Sequence, residues 1–75
     1  MKAFVEIGVE PGTLELVLES IRKIEGVKEA YPVTGHCDII AVVEVAELKL
    51  ISEIVVKHIH RIKGVKYTQT LLVVE

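Results

Sequence analysis

The sequence predicts an α+β fold of the ferredoxin-like kind, βαββαβ: a four-stranded antiparallel sheet with two helices on one face. Three observations lead there. First, "IRKIEGVK" from Ile21 returns as "IHRIKGVK" from Ile59, an offset of 59 − 21 = 38 in a chain of 75 residues. Second, the likeness persists at that offset: "AFVEIGV" from Ala3 lies opposite "AVVEVAE" from Ala41, Val17 falls on Val55 and Gly26 on Gly64. Third, each unit carries a strand period, then a helix period, then a strand period. Fixed-offset repetition decides architecture before any local reading does. Two copies are too few for a solenoid and leave no room for a second domain, so residues 1–75 are one domain.

In the first unit, Val5, Ile7 and Val9 alternate with Phe4, Glu6 and Gly8, predicting a strand over Ala3–Val9. "EPGT" at Glu10–Thr13 breaks it, because proline lacks the amide donor, and Gly12 or Thr13 can cap a following helix. Leu14, Val17, Leu18, Ile21 and Ile24 recur at steps of three and four, one apolar stripe of a helix. Gly26 stops that helix, and Val27–Val33 has the β-branched and aromatic content of a second strand. The second unit follows suit. A strand over Ile39–Val45 precedes a helix from Glu47 to Ile62 with Ile51, Ile54, Val55, Ile59 and Ile62 inward. Gly64 and a strand over Val65–Val74 complete it. Right-handed crossovers place both helices on one face of the sheet.

Composition narrows the function. A chain this short hides only about 60% of its unfolded surface, yet 51% of its residues are hydrophobic. The surplus lies in strands such as "DIIAVVEV" and "TLLVVE", which are apolar at consecutive positions. With helices on one face only, Phe4, Ile40, Val42, Leu71 and Val73 would meet water, and no covering segment follows in the sequence. A homodimer packed sheet to sheet is the expected remedy. Net charge is −2, with no basic run and no paired aromatics on the sheet, so direct nucleic-acid binding is not expected. Neither a signal peptide nor a long apolar span is present, and Cys37 is the single cysteine; a cytoplasmic protein without membrane association is expected.

Few residues offer chemistry. His36, Cys37 and Asp38 are contiguous in "TGHCDI", and neighbours in a tight loop do not readily converge on one metal ion. His58 and His60, two apart on a helix, point to different sides. No metal site, cofactor or catalytic residue is expected. Arg22 and Arg61 sit near helix ends, away from any phosphate-cradling loop, which argues against a small hydrolase on this fold. The loop itself is more informative. Thr34 and Gly35 supply turn chemistry, and the plain reading makes Asp38 a turn residue bonded to its own backbone. The alternative is that exposed amides near Gly35 take a small carboxylate while Asp38 accepts from an ammonium group. A zwitterionic amino acid suits such a pair.

"VTGHCDIIAVVEV", then a helix, "IKGV" and "TQTLLVV", resembles the effector-binding and oligomerisation module of the Lrp/AsnC (feast/famine) transcription regulators, also called the RAM domain. The likeness spans essentially the whole chain; its most specific parts are T-G-x-x-D at Thr34–Asp38 and G-V-x-x-T-x-T at Gly64–Thr70. The sequence opens on its first strand, so the resemblance is to stand-alone members that lack the helix-turn-helix. It implies dimers that assemble further, commonly into octamers, with an amino-acid effector at the contact between dimers and possible co-assembly with full-length regulators. Carried over by position, Thr34, Gly35, His36 and Asp38 would form the binding loop, with Thr68 and Thr70 near the pocket from the last strand. The residue before the aspartate is usually aromatic in the family and here is Cys37. A purely structural assembly domain and an ACT-like amino-acid module, whose ligand loop would be "EPGT", are the competing readings.

Overall fold

The computed structural model describes all 75 residues. Strand β1 is Lys2–Val9, helix α1 Leu14–Arg22, β2 Val27–Pro32, β3 Ile39–Glu44, α2 Leu48–Glu53 and β4 Val65–Leu72; Ile54–Ile59 continues α2 as π-helical turns. The sheet order is β2-β3-β1-β4, with every neighbouring pair antiparallel. This is the expected βαββαβ arrangement.

Strand alternation sorts the side chains. Ala3, Val5 and Ile7 of β1 and Ile39, Ala41 and Val43 of β3 are fully buried, packed beneath Val17 and Ile21 of α1 and Ile51, Ile54, Val55 and Ile59 of the second helix. Directly paired residues of antiparallel strands share a face. Phe4, Glu6 and Gly8 therefore lie on the open face with their partners Leu71, Gln69 and Tyr67 of β4, and with Val42 and Ile40 of β3. This face is less exposed at its centre than the alternation alone implies. Val42 keeps 9% of its surface and Phe4 and Ile40 are half-buried, whereas Leu71 and Val73 keep 45% and 38%. The central strands are flanked on both sides, and Lys2 reaches over the Phe4 ring, 5.6 Å from its centroid. The edge strand has no such neighbour.

The repeat is visible as an approximate twofold axis through the sheet. Phe4 pairs with Val42, its own counterpart, since 4 + 38 = 42; the flanking pairs Ala3–Val43 and Val5–Ala41 exchange under the same offset.

Three local expectations are corrected. Thr13 stands at the N-cap of α1 but does not cap it; its hydroxyl donates back to the Glu10 carbonyl at 2.7 Å. The second helix ends at Ile59 rather than Ile62, and Ile62 packs partly buried against the core from the following turn. That helix also widens, with His60 N–H donating five residues back to the Val55 carbonyl at 2.9 Å. At 3.6 residues per turn, Ile54, Val55 and Ile59 would spread over about 140°. The wider turn draws the three into a narrower arc, and all are buried.

Candidate functional site

The loop between β2 and β3 is held from several directions. Val33 N–H donates to the Asp38 carbonyl at 2.9 Å, and Asp38 N–H donates to the Ile7 carbonyl at 2.9 Å. The Asp38 carboxylate does not bond its own turn: Oδ2 accepts the Val9 amide at 2.8 Å, fastening the loop to the end of β1. The fourth tie comes from β4. Tyr67 lies over Gly8, where any Cβ would run into the ring, and its hydroxyl donates to the His36 carbonyl. Gly8 is thus required for close approach, and the tyrosine it admits braces the loop.

His36 and Cys37 carry the chemistry of this loop. His36 is exposed, and its Nε2 lies 3.0 Å from Oε2 of Glu6, which projects from the middle of β1. Cys37 is buried at 4% exposure. Burial raises its thiol pKa above the ordinary value; the negative charges of Glu6 and Asp38 add to the rise, and the Ile7 backbone opposes it. Donor atoms of Glu6, His36 and Cys37 all lie within 4.8 Å of one another. This convergence is not legible in the sequence, because the third group comes from the sheet beneath the loop rather than from the loop itself.

Thr34 and Gly35 form the exposed outer side of the loop. Gly35 has φ +124°, with nothing within 4 Å of where a Cβ would stand. Thr68 and Thr70 lie elsewhere. They pair with Ile7 and Val5, both core-facing, so they occupy the helix side of β4. Thr68 Oγ1 is 2.7 Å from His60 Nε2. The sheet separates these threonines from Glu6 and Tyr67 of the same chain. Glu6, Gly8 and Tyr67 were not among the residues singled out from sequence, because only the strand register brings them to the loop.

The largest surface cavity, about 730 Å³, lies at the other end of the sheet, lined by Lys23, Gly26, Glu44, Leu50, Ile54 and His58 among others. His58 is exposed there. The cavity lining mixes lysines with glutamates, as a solvated surface does. The loop has the better-fixed polar geometry.

No helix is long and apolar enough to cross a membrane. The sequence profile of the family described as "Lrp/AsnC ligand binding domain" matches residues 2–75. An uncharacterized HTH-type transcriptional regulator of Pyrococcus furiosus, PF0250, is 38% identical, the match covering 93% of this chain and 49% of that protein. The chain thus spans about half the length of the curated relative it matches. Among solved structures, TTHA0845 from Thermus thermophilus superposes with a TM-score of 0.96 at 31% identity, over 99% of this chain and 92% of that one. The transcriptional regulator NMB0573 of Neisseria meningitidis, solved as an L-Met complex, superposes with a TM-score of 0.87 at 20% identity, over 99% of this chain and 49% of that one, a likeness of fold alone. With its family profile matched from the second residue to the last, the chain belongs to the Lrp/AsnC ligand-binding domain family.

Proposed function

We propose that this domain senses a small amino acid at the Thr34–Asp38 loop, in a pocket that a second subunit completes, and that it catalyses nothing itself. The observation that carries this reading is the loop's combination of fixed anchoring and open outer surface. Four hydrogen bonds hold Val33–Asp38, yet Gly35 faces open space. Backbone donors held this way suit a carboxylate, and Asp38 retains a second carboxylate oxygen for an ammonium group. A ligand on so open a surface needs another wall. Membership of a ligand-binding family supports the reading, as does the presence of an amino acid in the L-Met complex of the neisserial regulator on the same fold.

In this reading Thr34, Gly35, His36 and Asp38 form the loop's half of the pocket. Thr68 and Thr70 belong to the edge strand that a neighbouring subunit's loop would meet. A second copy packs over the open sheet face at Phe4, Val42 and Leu71, and dimers join into a larger ring, an octamer in the form common to the family. Such a module works in the cytoplasm and acts on transcription through co-assembly with full-length regulators, without touching DNA itself.

The test is a thermal-shift screen of the twenty amino acids with mass measurement of the assembly, followed by calorimetric titration of the amino acid that binds. Binding at an interface changes both melting temperature and assembly. Asp38→Ala should weaken binding by about ten- to hundred-fold, the loss of one charge-assisted contact. Equal binding by wild type and Asp38→Ala would remove the loop from the site.

A further inference from the structure

We propose that Glu6, His36 and Cys37 form a binding site for a borderline-soft divalent cation of the zinc class, on the open face of the sheet beneath the β2–β3 loop. The proposal shares His36 with the amino-acid reading and otherwise uses groups outside it, the buried Cys37 and Glu6 in the middle of β1.

The donor set is specific. One thiol, one imidazole and one carboxylate come from two segments 30 residues apart in sequence, and their ligating atoms lie within 4.8 Å of one another. Tetrahedral zinc with ligands at about 2.0–2.3 Å holds its donors about 3.3–3.8 Å apart. The Glu6 to His36 separation of 3.0 Å and the 4.8 Å bound on all three pairs bracket that range. Sulfur and nitrogen donors select against magnesium and calcium, which take oxygen ligands. Three protein ligands leave a fourth position open, the pattern of zinc sites that exchange a ligand.

The surrounding structure fixes the donors more firmly than a surface ion pair would require. Tyr67 holds the His36 carbonyl, and Gly8 gives the ring its place. Asp38, next to Cys37, is tied to Ile7 and Val9 of β1, one residue on either side of Gly8. His36 and Cys37 are therefore positioned relative to the strand that carries Glu6. A hydrogen bond between Glu6 and an exposed histidine is worth little alone and explains neither this bracing nor the cysteine beside it. The duplication supplies a control. Glu44 is the counterpart of Glu6, since 6 + 38 = 44, and it is exposed and belongs to no such three-donor group.

Cobalt(II) titration of the full, metal-stripped chain tests the site. Bound cobalt should give a near-ultraviolet thiolate-to-cobalt charge-transfer band, intense visible bands of tetrahedral coordination, and a stoichiometry of one per chain. Zinc should displace it. Cys37→Ser should abolish the charge-transfer band. Glu6→Gln and His36→Gln should each weaken cobalt binding at least tenfold, and Glu44→Gln should leave it unchanged. Thermal melts of each variant identify any that fail to fold. No charge-transfer band at millimolar cobalt would overturn the proposal. So would a band that persists at full affinity in folded Glu6→Gln and His36→Gln, since that would be the response of a thiol acting alone.

Discussion

The two halves of the chain perform the same structural task with different chemistry at matched positions. In the first, Arg22 at the end of α1 donates from Nε and Nη2 to the Ala30 carbonyl of β2, at 3.1 and 2.7 Å. In the second, the residues 38 positions on are His60 and Thr68, and they bond side chain to side chain at 2.7 Å. Both ties bind a helix end to an edge strand. The first uses an acceptor that no substitution at position 30 removes; the second depends on a particular hydroxyl. The contrast extends to the glutamates, where Glu6 is half-buried beside His36 and Glu44 is exposed. The scaffold repeats, and the chemistry differs where the two copies do not match. At the same offset the loop residues Val33–Cys37 fall on Leu71–Glu75, of which Leu71 and Leu72 still belong to β4, and the candidate site is in that loop.

The sharpest way to break the likeness is at its centre. In the proposed dimer, Val42→Asp should cost about 3–5 kcal/mol, the scale of an unpaired buried charge, whereas Leu71→Asp at the exposed edge should weaken the proposed self-association with little loss of chain stability. Chemical denaturation with sedimentation separates the two. Next come the matched glycines, both at positive φ where an L-residue costs about 1–2 kcal/mol. A Cβ on Gly26 would meet the flexible end of Ile54, but one on Gly64 would fall 2.9 Å from the Cβ of Thr13. Gly64→Ala should therefore lower the denaturation midpoint more than Gly26→Ala. The tethers should differ more subtly. Thr68→Val should cost about 1 kcal/mol, a loss that vanishes in a His60→Ala background when measured as a double-mutant cycle. Smallest is Tyr67→Phe, about 0.5–1 kcal/mol for one hydrogen bond. It should raise amide exchange at Asp38 without altering exchange in β2.

The scaffold was legible because its determinants are local and repeated. Alternation in "AFVEIGV" and the stripe through Val17 and Ile21 each name a buried face without knowledge of partners. Val5, Ile7, Val17 and Ile21 are fully buried, and Val9, Leu14, Leu18 and Ile24 pack partly buried at the margins of the same core. Helix widening was not legible: Ile51, Ile54, Val55 and Ile59 satisfy α spacing, and only the core they meet favours the wider turn. The site was half legible. Gly35 and Asp38 announce a turn, but the anchoring of Asp38 on Val9 and the meeting of Glu6 with His36 depend on register, which the hydrophobic pattern sets only to within steps of two. Thr68 and Thr70 show the converse. Their spacing joins them in sequence to a recognisable run, while strand parity turns both toward the helix side.

The axis through Phe4 and Val42 bears on how a second copy could dock. A face with a twofold at its own centre looks nearly the same after half a turn, so a partner laid on it meets two almost equivalent orientations. What separates them in free energy is the set of matched positions where the side chains differ: Lys2 against Ile40, Phe4 against Val42, Glu29 against Tyr67, Tyr31 against Gln69. Orientation would then be encoded by mismatches, and substitutions that made the halves more alike would leave affinity intact while making assembly ambiguous.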